Sequence, residues 1–188
     1  MRNSRKPVFH TGRCIAKLNT PSDKTNKIPT NARRVISGHD DVRQAVEEVA
    51  RLASKSLVIF THDLEPSIYD ENSFIEIVKR LVLSRAYARI RVLVARPQRA
   101  VKDGHRLITL GRRLNSYVEF RNVHKDYMDR TEAYIIADNF AISYRLDASR
   151  WDGIADICSP AVAKRYLADF DRIWAASIQE PELRVMHL

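Results

Sequence analysis

Val42, Ala45, Val46, Val49, Ala50 and Ala53 recur at three- and four-residue intervals, which predicts an amphipathic helix over about 40 to 54. The short apolar run Leu57-Val58-Ile59-Phe60 reads instead as a strand buried on both faces. Phe74, Ile77, Val78, Leu81 and Val82 mark a second helix, and Arg89 to Ala95 a second strand. Leu107, Ile108, Leu110 and Leu114 predict a third helix over roughly 98 to 114, weakened by Gly104 and Gly111. Strands near 117 to 122, 132 to 137 and 140 to 145 follow, the last two joined by a tight turn at Asp138-Asn139. Ser159-Pro160 supplies an N-cap and a first-turn proline for a closing helix, whose Tyr166, Leu167, Phe170, Ile173 and Trp174 share one face. Helix and strand alternate along most of the chain, which predicts an α/β fold with a mixed sheet flanked by helices.

The hairpin from Arg130 to Arg145 carries the most specific signal. It resembles a phospholipase D half-site, whose pattern is His-x-Lys, four residues, then Asp. With Asp138 in the Asp position, the His position holds Thr131 and the Lys position Ala133. Residues two apart on a strand face one pocket, so the pattern needs both groups together: a histidine to attack phosphorus and a lysine to steady the phosphate charge. Thr131 has no neighbouring base on that face, and Ala133 has no charge. His124-Lys125-Asp126 holds the right residue types, but adjacent side chains on a strand point to opposite faces, and the triplet reads as a polar loop.

The order of elements is also that of a single phospholipase D-like half-domain. In detail the chain resembles an uncharacterised bacterial domain of that superfamily, often attached to the C-terminal side of GNAT-type acetyltransferases. The residues that carry this likeness are His62-Asp63-Leu64-Glu65-Pro66 with Tyr69-Asp70, Gly104-His105-Arg106-Leu107, Asp126-Tyr127, Ala137-Asp138, Tyr144-Arg145, Phe170-Asp171 with Trp174, and Pro181-Glu182-Leu183-Arg184. Together they span about residues 38 to 188. Only 34 residues lie upstream, too few for an acetyltransferase module of roughly 140 residues, so no acetyl-CoA function is carried over. What the resemblance implies is the fold, without an established activity. Two half-sites make one active phospholipase D site, so it also implies a homodimer, although a degenerate half-site removes the catalytic reason for one.

The net charge of +9 over 188 residues first suggests a nucleic-acid binder, but its placement changes that picture. Residues 1 to 34 hold nine of the 32 basic residues (Arg2, Arg5, Lys6, Arg13, Lys17, Lys24, Lys27, Arg33, Arg34) and one of the 23 acidic ones, Asp23. That segment therefore carries +8 and the remainder +1. Its Lys, Asn, Thr, Ser and Pro content, without helical or strand period, predicts a disordered basic tail over 1 to 34 and one domain over 35 to 188. Such a tail serves as an arm for phosphate backbones or other anionic surfaces, or as a solvated linker.

No apolar run reaches the length of a membrane span, and residues 1 to 30 lack the apolar segment of a secretory signal. Cys14 and Cys158 form neither a disulfide framework nor a metal-ligand cluster, which points to a reducing cytoplasm, and no cofactor is expected.

In open α/β sheets, ligands collect beyond the carboxyl ends of the strands. That rule gathers a polar rim of candidate ligand-binding residues: His62, Asp63, Glu65, Tyr69, Arg96, His105, Arg106, Tyr127 and Arg145. Arginines there offer planar forks of donors to a phosphate or carboxylate. The competing expectation is structural, with Asp63 or Glu65 paired to Arg106 or Arg145. The resemblance would place an acidic residue where Arg96 stands. A metal site lacks paired spacing such as His-Glu-x-x-His.

Three functions follow as expectations. The first is a non-catalytic domain that binds a phosphate-bearing ligand or a partner protein. The second is a hydrolase with a relocated site built from His62, Glu65 and His105. The third is nucleic-acid binding by the basic tail alone, steeply weakened by salt.

Overall fold

A computed structural model of the protein describes residues 33–84 and 86–179. The expected tail thus lies outside the described residues except for Arg33 and Arg34, which open the first strand, and Cys14 and the Pro181 to Arg184 motif lie outside as well.

Seven strands form one mixed sheet in the order β1-β7-β6-β5-β2-β3-β4. They are β1 (Arg33–Ser37), β2 (Ser56–Thr61), β3 (Arg89–Val94), β4 (Val118–Asn122), β5 (Ala133–Ala137), β6 (Ala141–Arg145) and β7 (Asp152–Asp156). Strands β2, β3 and β4 run parallel, while β5, β6, β7 and β1 continue the sheet antiparallel from the other side of β2. The helices are α1 (His39–Leu52), the single turn α2 (Pro66–Tyr69), α3 (Asn72–Ser84), α4 (Gln98–Lys102), α5 (Arg106–Arg113) and α6 (Pro160–Ala176). None of them is long and apolar enough to cross a membrane.

Alternation along the strands divides the core in two. Leu57, Ile59, Ile90, Val92, Ile135 and Ala137 face α1, α3 and α5. Val58, Phe60, Leu93, Tyr134, Ile136 and Ile142 face α6, which brings Ala163, Phe170, Ile173 and Trp174 against them. The continuous apolar run of β2 arises because both of its faces are covered. Tyr166 and Leu167 pack at the edge of the second core, as the helical face of α6 predicts.

Two expectations need correction. The helix over 98 to 114 is two helices, because Gly104 takes a left-handed φ of 72° that a continuing helix does not allow. His105 then caps α5, its Nδ1 accepting from the Leu107 N–H at 3.1 Å. Gly111, by contrast, stays helical and lies so close to Phe120 that a methyl group there would sit 2.4 Å from its ring. The second correction is the pair β1 and β7, which the hydrophobic pattern did not announce. Only Ile36 of β1 and Ala155 of β7 are buried, so neither strand carries an apolar alternation long enough to stand out.

Candidate functional site

Antiparallel pairing places the start of β5 and the end of β6 beside the carboxyl end of β2, since Phe60 pairs with Tyr134 and Ala133 with Arg145. Paired residues project to one face of a sheet. The side chain of Arg145 therefore rises beside Ala133, on the face where a histidine and lysine of the phospholipase D pattern would stand.

Glu65, just before α2, reaches into the same space and accepts from Arg145 Nη2 in a buried ion pair. Its second oxygen accepts from Thr61 Oγ1 at 2.5 Å. Arg145 Nη1 donates to the carbonyls of Ala148 and Arg150 at 2.8 and 3.1 Å, and the guanidinium carbon lies 5.0 Å from the centre of the Trp151 ring. Tyr69 is buried next to the pair, and burial followed by the Glu65 charge pushes its hydroxyl pKa up against the opposing pull of Arg145. The space left among Val42, Val46, Tyr69, Ala133, Ser143 and Arg145 is about 10 Å3, room for no more than a water. Thr131 also turns to the backbone, its hydroxyl donating to the Leu146 carbonyl at 3.0 Å.

Asp138 serves a different end of the sheet. With φ at 53°, it turns its carboxylate back to accept from the backbone N–H groups of Ser54, Lys55 and Ser56 at 3.3, 2.8 and 2.8 Å. It also accepts from the Ser54 hydroxyl at 2.8 Å, so it ties the entry of β2 to the β5–β6 turn.

The other predicted rim residues have separate partners. His62 Nε2 donates to the Arg130 carbonyl at 2.7 Å, and the His62 carbonyl accepts from the backbone N–H of the exposed Arg96 at 2.6 Å. Asp63 lies 3.8 Å from Arg99; burial and then the nearby Glu65 charge raise its pKa. Arg106 Nε donates to Asp70 at 2.8 Å and its Nη1 to Asn72. His105 is buried, and that burial holds its pKa below the ordinary histidine value in spite of Asp70. Tyr127 lies in a turn at Lys125–Tyr127 and packs on the α6 side of the sheet. The rim thus brings Glu65, Tyr69 and Arg145 together, holds His62, Asp63 and Arg96 along its loops, and sends His105 with Arg106 to Asp70 and Tyr127 to the opposite face. Of the pairings expected from sequence, Glu65 with Arg145 is present, whereas Asp63 goes to Arg99 and Arg106 to Asp70. Among the described residues, no group of three or more His, Cys, Asp or Glu side chains is placed to hold a metal ion.

A second feature escaped the sequence. On the α6 side, Arg130, Glu132, Arg165, Tyr166, Asp169 and Arg172 line an open cleft of about 540 Å3. Arg130 pairs with Glu132 and lies 2.5 Å from Asp169, which also accepts from Arg172. Arg130 and Glu132 lie in the segment leading into β5, and Arg165, Asp169 and Arg172 share one helix face, but nothing in either pattern says that this helix packs beside that segment.

Solved structures share this architecture. TrmBL2, an archaeal chromatin protein with a novel mode of DNA binding, superposes with a TM-score of 0.60 at 11% identity, over 82% of this chain and 56% of that one. This chain therefore spans little more than half of TrmBL2. Nuc from Salmonella typhimurium, a phospholipase D family member, gives a TM-score of 0.55 at 14% identity over 81% of this chain and 98% of its own. NucT from Helicobacter pylori gives 0.53 at 10% over 79% and 98%. At such identities the likeness is one of fold, that of a single phospholipase D-like half-domain. No curated protein matches the chain. The profile of a domain of unknown function, DUF7931, matches residues 38–186, and the protein belongs to that family.

Proposed function

We propose that the protein is a non-catalytic phospholipase D-like module that binds a phosphate-bearing ligand. The observation that carries this reading is the Glu65–Arg145 pair, which fills the face beside Ala133 where the catalytic histidine and lysine would need space and solvent access. Thr131 adds no nucleophile, since its hydroxyl is bound to a backbone carbonyl and has no base beside it. Phosphate binding draws its support from the +8 charge of residues 1 to 34 and from the shared fold of TrmBL2, a DNA-binding protein. A bacterial cytoplasm is the setting this reading assumes, and attachment to acetyltransferases in relatives rests on the resemblance alone.

A relocated hydrolase built from His62, Glu65 and His105 has less support. Glu65 is held by Arg145 and Thr61, His62 by the Arg130 carbonyl, and His105 by the Leu107 N–H.

The test is fluorescence anisotropy with a labelled single-stranded oligonucleotide, at low and physiological salt, alongside turnover of bis-p-nitrophenyl phosphate. The full chain is compared with a full-length variant in which Arg2, Arg5, Lys6, Arg13, Lys17, Lys24 and Lys27 are changed to Gln. Binding that weakens but persists in the variant, without turnover, is the expected result. Binding abolished by the seven changes would leave the folded domain without a phosphate site. Turnover that vanishes in His62→Ala or His105→Ala would establish the hydrolase instead.

A further inference from the structure

Strand β4 closes one side of the sheet. Among the described residues its outer edge is met only by Ile178, through an antiparallel bridge in which the Asn122 N–H donates to the Ile178 carbonyl at 3.1 Å. The chain is steered there as it leaves α6. Arg121 Nη1 donates to the carbonyls of Trp174 and Ser177 at 2.8 and 3.4 Å, and the Ser177 hydroxyl oxygen accepts from the His124 N–H at 3.1 Å. Beside that edge runs a groove of about 190 Å3, walled by Arg112, Val118, Glu119, Phe120 and Gln179 among others. Gln179 is the last described residue, so the chain that follows it starts inside the groove.

The backbone of β4 sets what that edge can take. Tyr117 and Val123 direct their groups to β3, the first accepting from the Ile90 N–H and the second donating to the Val94 carbonyl. Backbone direction alternates along a strand, so the even-numbered residues between them present theirs to the open edge, as Asn122 does. Opposed residues in an antiparallel pair alternate between those that exchange N–H···O bonds and those that do not, and Asn122 with Ile178 is a bonded pair. Continued along β4, that register sets Glu180 opposite Phe120 and Glu182 opposite Val118 in bonded positions, and Pro181 opposite Glu119 in an unbonded one. A proline fits there, because the N–H it lacks would have pointed away from β4. Opposed side chains share a face, so Glu180 and Glu182 fall on the side of Val118 and Phe120, which face α5. That helix ends in Arg112 and Arg113, and Arg112 lines the groove.

We infer that the β4 edge and its groove take the protein's own segment Glu180 to Glu182 as an added antiparallel strand. The inference goes beyond phosphate binding and does not depend on it. Three observations agree on this occupant: the chain enters the groove at Gln179, its register puts the proline where no N–H is needed, and its acids meet the basic end of α5. An open edge strand is a template for pairing with other chains, and a strand supplied by the same chain removes it. Tethered directly to the bridge at Ile178, that segment competes at a high effective concentration against any free partner.

The test is amide hydrogen exchange of the full chain, followed residue by residue by NMR. Glu180 and Glu182 are expected to exchange about a hundredfold more slowly than Gln179 and Leu183, whose N–H groups point away from β4. Glu182→Pro removes the donor to the Val118 carbonyl and is expected to bring Glu180 to the rate of Gln179. Leu183→Pro, at an unbonded position, is expected to leave Glu180 protected. Val58 and Ile59 of β2 should exchange alike in the parent and both variants, so a folding defect cannot account for the difference. Fast exchange throughout residues 180 to 183 of the parent, or slow exchange of Gln179 and Leu183 in place of Glu180 and Glu182, would overturn the inference. So would protection that disappears on dilution, since the pairing would then be with a second copy.

Discussion

Arg145 closes on Glu65 from eighty residues further along the chain, and it does so beside Ala133, the position where the phospholipase D pattern calls for lysine. A lysine at position 133 would bring a second cation against Arg145, whereas a methyl group leaves the guanidinium room to reach the carboxylate.

The pair is buried on both sides, so removing one partner leaves the other charge uncompensated. Arg145→Ala should lower the free energy of unfolding by about 3–5 kcal/mol. The double change Glu65→Leu with Arg145→Met should recover most of that, because it removes both charges and keeps the volume. Urea denaturation of the three proteins checks both statements.

Introducing a His-x-Lys pair at 131 and 133 should not produce phosphodiesterase activity. Thr131→His with Ala133→Lys is expected to give no detectable turnover of bis-p-nitrophenyl phosphate. It should also destabilise the fold by more than the roughly 1–3 kcal/mol of simple overpacking, since the new lysine meets Arg145 in a space of about 10 Å3. Activity above background in that double variant would show that the Glu65–Arg145 pair does not block the site.

Asp138 ties the entry of β2 to the β5–β6 turn through its carboxylate. Asp138→Ala loses the acceptor for three backbone N–H groups and places a Cβ-bearing residue without side-chain compensation at a φ of 53°. The expected cost is about 2–4 kcal/mol, with Asp138→Asn losing less because asparagine tolerates that backbone and still accepts hydrogen bonds. Thermal melts of the two variants should rank in that order.

Burial lowers the pKa of His105, so the unfolded chain binds its proton more readily than the folded one. Its contribution to stability is therefore complete above the ordinary histidine pKa of about 6.5 and is lost as pH falls from there through the depressed folded value. His105→Asn keeps a capping acceptor for the Leu107 N–H and removes the titration. The fall in melting temperature between about pH 7.5 and 5.5 should be shallower in the variant than in the parent. Parallel melting curves for the two proteins would assign the acid sensitivity elsewhere.

Helices α1, α3 and α6 and strands β2 to β6 were legible because each buries a face whose period is written in its own residues. The phospholipase D-like order of those elements was legible for the same reason. Strands β1 and β7 were not, because an edge pair that buries little more than Ile36 and Ala155 leaves almost no periodic trace. The break at Gly104 was visible as weakness in a helix, but a glycine becomes a left-handed turn only when neighbouring packing requires one.

That Thr131 and Ala133 carry neither an imidazole nor an ammonium group is plain from their identities, with no coordinates needed. The sequence by itself also offered a polar rim of candidates, of which Glu65 and Arg145 meet while Arg106 goes to Asp70 and Tyr127 to the opposite face. The packing of sheet and helix is what gives Arg145 to Glu65 and Arg106 to Asp70, and what brings Arg130, ahead of β5, to Asp169 on α6. Electrostatic partnership depends on distances of a few ångströms between residues tens of positions apart, and that proximity arises from the packing of sheet and helix as a whole rather than from any local pattern.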